Sequence, residues 1–171
     1  MLFDSNVFNM IDWAVDGVEP CTGMYIRTLP LASLPSCQLQ GPVLDLALRF
    51  NQFNANDYGF GVGWELTLTR VEVEDNVSTL VLANGQRYRI QSTSDGPVTL
   101  QYKKTQTFNC TMTGPGAYTI TYKSGFIEEL INNKLRTITA PNGKKIYFNW
   151  RDNKAFSIQD ENQNRAGKGA M

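Results

Sequence analysis

From residue 43 onward the chain alternates apolar and polar side chains, and it interrupts that alternation with reversals rich in glycine and asparagine. Val43, Leu44, Leu46, Leu48 and Phe50 alternate with Asp45, Ala47 and Arg49, and Trp64, Leu66, Leu68 and Val71 do so around Glu65, Thr67 and Thr69. A period of two turns one side-chain set to a core and the other to water, so these runs predict half-buried strands. Asn84-Gly85, between Leu80-Val81-Leu82 and Tyr88-Arg89-Ile90, predicts a hairpin whose two central residues take positive φ; Asn142-Gly143 repeats the signal. Asp95-Gly96-Pro97 and Gly114-Pro115-Gly116 mark two further reversals. Only two segments invite a helix. Residues 5–15 read as irregular, and residues 127–131, bracketed by Gly125 and Asn132-Asn133, read as a strand. The fold class is therefore all-β, with antiparallel sheets and consecutive hairpins.

A length of 171 residues suits one domain, or one domain with a small appendage, and is enough to bury a core. Sixteen basic and sixteen acidic residues cancel. Without a concentrated basic face there is little to neutralise phosphates, so nucleic acid is not an expected partner; Lys103-Lys104 and Lys144-Lys145 are isolated pairs. No apolar run reaches the ~20 residues of a membrane span, and the N-terminal residues lack the basic start and apolar stretch of a secretory signal. Cys21, Cys37 and Cys110 cannot all pair within one chain and do not stand at metal-ligand spacing, so no metal or other cofactor is expected. A Cys21–Cys37 bridge and reduced thiols remain the two alternatives, with reduced thiols favoured.

The chain contains no histidine, which removes Ser-His-Asp and Cys-His catalysis. What remains for an enzyme is a carboxylate pair. Asp45, Asp57, Glu65, Glu72, Glu74 and Asp75 mostly fall on the polar phase of strands, with Glu72, Glu74 and Asp75 reading as a solvated strand end. Glu128-Glu129 reads as an outward-facing edge. No enzyme is expected. The glycines of Gly59-Phe60-Gly61-Val62-Gly63 are not a phosphate cradle, since the strand pattern Trp64-Glu65-Leu66-Thr67-Leu68 follows where a helix would be needed. They predict a tight bend. Beside it, Asp57, Tyr58 and Trp64 make a candidate sugar platform, an aromatic face with an adjacent carboxylate, which Trp13 or Tyr25 would extend. The competing reading places Trp64 and Phe60 in the core and gives Asp57 the task of capping turn amides.

From Gly125 the chain repeats itself with a period of about 20 residues: Ile138 and Ile158, and Asn142 and Asn162, occupy equivalent places. Gly17-Val18-Glu19-Pro20-Cys21-Thr22-Gly23-Met24-Tyr25, Leu39-Gln40-Gly41-Pro42-Val43-Leu44-Asp45-Leu46, Phe50-Asn51-Gln52-Phe53-Asn54 and, most specifically, Asp57-Tyr58-Gly59-Phe60-Gly61-Val62-Gly63-Trp64 precede it in order. Leu82-Ala83-Asn84-Gly85-Gln86-Arg87-Tyr88 and Lys123-Ser124-Gly125-Phe126-Ile127-Glu128 complete the series. Over residues 4–160 this series resembles the N-terminal part of RHS/YD-repeat proteins, bacterial proteins whose hairpins wind into a hollow shell that in many members encloses a toxin. The resemblance departs from the family where Trp150-Arg151-Asp152 stands for the Tyr-Asp signature and where Cys21 replaces a common basic residue. It implies the start of an RHS/YD-type β-shell: an N-terminal β-domain over 1–124, two degenerate hairpin repeats over 125–162 and a flexible polar tail over 163–171. It also implies a non-catalytic shell or plug module in toxin delivery or in interaction with other bacteria or a host. Such a module would be made in the cytoplasm and be secreted, or reach the cell surface, without a classical signal peptide. Stacked hairpins need neighbours, so the last strand predicts a protein partner, self-association or a tail that covers its edge. A carbohydrate-binding module for adhesion is the alternative function.

Overall fold

The computed structural model describes residues 16–18, 23–36, 40–55, 57–91, 95–101, 103, 106–152 and 154–161. Residues 5–15, Trp13, Cys21, Cys37 and the 163–171 tail, on which several expectations rest, lie outside them. The described residues contain strands and turns and no helix. β1 (Asp16–Val18), β2 (Tyr25–Pro35), β3 (Val43–Asn51) and β4 (Trp64–Leu66) form an antiparallel sheet in that order. The second, larger sheet takes β5 (Arg70–Glu74), β6 (Val77–Val81), β7 (Arg87–Arg89), β8 (Gly96–Pro97), β9 (Phe108–Gly114), β10 (Ala117–Tyr122), β11 (Ile127–Ile131), β12 (Lys134–Thr139), β13 (Lys145–Arg151) and β14 (Lys154–Asp160). From β9 to β14 every strand pairs antiparallel with the next, so residues 127–131 form a strand as expected. The pairing of β10 with β11 carries the sheet across residue 125 without a break.

The turns explain the period of the repeat. Asp75-Asn76 and Asn132-Asn133, which join β5 to β6 and β11 to β12, each put two consecutive residues at positive φ, the tight reversal that matches strand twist. The Asn-Gly turns differ from expectation. Only Gly85 and Gly143 are at positive φ; Gly85 donates to Leu82 and the Leu82 amide donates to Gln86, and Gly143 and Ala140 do the same with Ala140 and Lys144. Gly125 with Tyr122 and Phe126 makes a third copy. Each is a wider loop that ends on a left-handed glycine. The asparagine instead accepts from the amide two residues on, Asn84 from Gln86 at 3.0 Å and Asn142 from Lys144 at 3.1 Å. A hairpin unit is thus strand, tight turn, strand, glycine loop, with the two turn types at opposite ends of the sheet.

The larger sheet curls. Beyond β7, Ile90 bridges Leu100, and the Gln91 and Gln101 amides donate to Thr99 and Arg89, while Val98 donates to Cys110 on β9. The segment after β8 therefore links the two ends of the sheet. Opposite this seam, β12 divides one of its edges: Lys134 faces Arg70 of β5, whereas Thr137, Ile138 and Thr139 face Tyr147, Ile146 and Lys145 of β13. The sheet forks there.

Inside the curl lie Leu80, Ile120, Leu130, Leu135, Phe108 and Phe148, all essentially without exposure, and the smaller sheet contributes Leu44 to the same core. Tyr88 meets Phe108 edge-on at 5.4 Å between ring centroids. Three carboxylates depart from the expected phase. Glu65 is buried on β4, Glu128 is buried on β11 where it accepts from the Tyr122 hydroxyl at 2.9 Å, and Glu72 is mostly covered by two arginines. Alternation misses them because a paired carboxylate can occupy an inward position that pattern reserves for an apolar group. Glu74, Asp75 and Glu129 are exposed, as expected.

Candidate functional site

The fork opens a cleft of about 480 Å³. One wall is β5, the other is the far end of the β13–β14 hairpin with Trp150, Lys154 and Ala155, and the bend before β4 supplies Tyr58 and Phe60. The bend needs its glycine at position 63, where φ is +86° and an added Cβ would stand 2.8 Å from the Phe50 ring and 3.0 Å from the Asn51 carbonyl. The Asn51 amide donates to the Gly63 carbonyl at 2.8 Å and closes the loop.

A charge network forms the floor. Arg70 donates through Nη2 to Glu65 Oε2 at 2.5 Å and to Glu72 Oε1 at 2.6 Å, and through Nε to Glu72 Oε1 at 2.9 Å. Arg87 pairs with the other oxygen of Glu72, and Asn54 donates to Glu65 Oε2 at 3.2 Å. Side-chain exposures of 16% for Arg70, 10% for Glu65 and 17% for Glu72 place these ions where their pairing matters. Burial works against the Arg70 charge, but Glu65 and Glu72 outweigh it and hold the guanidinium pKa above its ordinary value. Burial likewise opposes the Glu72 charge, and Arg70 and Arg87 overcome it, so its carboxyl stays below the usual range.

The Tyr58 ring lies over the Arg70 guanidinium at 5.7 Å, and Lys134 lies over the Trp150 ring at 5.6 Å. The Trp150 indole donates to the Leu135 carbonyl at 2.6 Å, which fixes the ring against β12.

The three residues of the expected platform separate. Tyr58 lines the cleft. Trp64 does not; half-buried, it packs on Phe50 at 5.3 Å, and Phe50 packs in turn against Tyr25 at 6.2 Å. Phe60 is 36% exposed at the cleft rather than a core residue. Asp57 accepts from the amides of Gly59 at 2.7 Å and Gly61 at 3.1 Å, and these bonds, aided to a lesser degree by the nearby Lys154, hold its carboxyl below the ordinary range against desolvation. Asp57 thus shapes the bend. Arg70 and Trp150 enter the site unanticipated: Arg70 sits two residues before Glu72 and five after Glu65, a spacing that hints at pairing, while Trp150 read only as a degenerate repeat position. Among the described residues no group of three or more Cys, Asp or Glu side chains is arranged to hold a metal ion.

No family model matches the chain, and no curated protein matches it either.

Proposed function

We propose that the chain is a non-catalytic scaffold, similar to the N-terminal shell or plug part of RHS/YD-repeat proteins in toxin delivery or interbacterial or host interaction, and that it is extended through the edge of β14. The observation that carries this reading is the run of hairpins from β9 to β14, which ends on a strand paired only with β13 among the described residues. An uncovered edge presents a row of backbone donors and acceptors that another strand can complete. The repeated turn chemistry supports the same reading, because strand, tight turn, strand and glycine loop can be added again without changing the ring below. A non-catalytic role is favoured by the fate of the cleft carboxylates. Glu65 and Glu72 share one guanidinium, and a Glu72 kept ionised has no proton to give as a general acid.

Light scattering on a concentration series, with hydrogen exchange on the same samples, tests the proposal. Association is expected, with the β14 amides gaining protection as the protein associates. A monomer at every concentration whose β14 amides exchange freely would overturn it.

A further inference from the structure

We propose that the fork cleft binds a neutral sugar ring, with Glu65 and Arg70 as hydrogen-bonding floor and Tyr58 and Trp150 as walls. The charge count comes first. Among the lining residues Glu65, Glu72 and Glu74 balance Arg70, Lys134 and Lys154, and the most enclosed of these charges, Arg70 and Glu72, are already paired, so neither an anion nor a cation meets a net opposite charge. Recognition there falls to uncharged polar groups.

Those groups have partners waiting. Arg70 uses Nε and Nη2, and Glu65 uses Oε2. Arg70 Nη1 and Glu65 Oε1 make no hydrogen bond among the described residues, yet no buried side-chain nitrogen or oxygen among them lacks a partner. Neither atom is therefore sealed from solvent, and both residues line the cleft. The ion pair joins a residue with a spare donor to one with a spare acceptor, which suits two hydroxyls of one sugar ring, one accepting and one donating. The Tyr58 and Trp150 rings and the exposed Phe60 supply apolar surface for the C–H face of the ring. A volume of about 480 Å³ lies within the range of small-molecule sites. Relative to the platform expected from sequence, Tyr58 stays, Asp57 is committed to the bend and Trp64 is replaced by Trp150.

The test titrates the isotope-labelled full chain with glucose, galactose, mannose, N-acetylglucosamine and cellobiose, and with glucuronate and glucose 6-phosphate as anionic counterparts, following the Trp150 indole N–H. A saturable shift with at least one neutral sugar is expected, weaker or absent with its anionic counterpart. Tyr58→Ala should weaken that binding by about tenfold with the melting temperature held, and Trp64→Phe should leave it unchanged. No shift with any neutral sugar, tighter binding of the anions, or unchanged affinity in Tyr58→Ala would overturn the proposal. The sugar is read at the Trp150 indole and in Tyr58→Ala, and association at the β14 amides and by light scattering, so the two readings fail on different measurements.

Discussion

Arg70 lies between Glu65 and Glu72 beneath the Tyr58 ring, and its loss would leave two carboxylates where water reaches them poorly. Arg70→Ala should lower unfolding free energy by about 3 kcal/mol, measured by urea denaturation. Two glutamates then shape the response to pH in opposite senses. Glu72 has its folded pKa depressed by the arginines against burial, so it stabilises above the ordinary glutamate range and that stability fades as pH falls through the folded value. Glu128 is raised by burial, against the pull of its Thr69 and Tyr122 hydrogen bonds. Its folded form keeps a proton the unfolded chain releases, so its contribution declines as pH rises from the ordinary value through the folded one. Glu128→Gln should therefore raise the urea midpoint at neutral pH and leave it nearly unchanged in acid. Cys110 is 4% exposed and burial pushes its thiol up to about 11. In the native protein the Cys110 peptide should escape alkylation at neutral pH and become labelled only in denaturant, as mass mapping would show. The surroundings of Glu65, Glu72 and Glu128 were not legible in single positions, since alternation assigns all three to water and is blind to partners from other strands.

At the level of elements the sequence spoke most clearly. The alternating runs from Val43 and from Trp64 contain β3 and β4, and Asn132-Asn133, Asn84-Gly85 and Asn142-Gly143 all stand at hairpin turns. The turn geometry was less legible. Asn-Gly serves a two-residue turn and a wider glycine loop alike, and the choice falls to the length of chain the flanking strands leave over. The bend before β4 was read correctly as a bend because its glycines precede a strand pattern. Its test is local: Gly63→Ala must place a Cβ against Phe50 and Asn51 at a positive φ, and should cost about 1–3 kcal/mol in urea denaturation while the β9–β12 amides keep their relative protection.

Across the whole molecule, what sequence could not announce is where strands distant in the chain meet. Arg70 finds Lys134, Ile90 finds Leu100, and Asn142 donates to the Gln40 carbonyl in the connection between β2 and β3 at 2.5 Å. The cleft exists only because of the first of these meetings, which is why Arg70 and Trp150 escaped a reading based on neighbours in sequence. The Ile90–Leu100 bridge is a narrow seam beside ladders of several pairs. Hydrogen exchange should find the amides of Gln91 and Gln101 opening before those of Ile120 and Leu130.

The forked edge of β12 has a consequence for how such a chain can change. Because β5 and β13 draw on different residues of one strand, the reversal between β13 and β14 can lengthen, shorten or alter its side chains while the ring keeps its pairing. Selectivity of the cleft and integrity of the barrel-like body are thereby separable quantities. One hairpin tip can be rebuilt as a tunable part, and the rest of the molecule carries on as its mount.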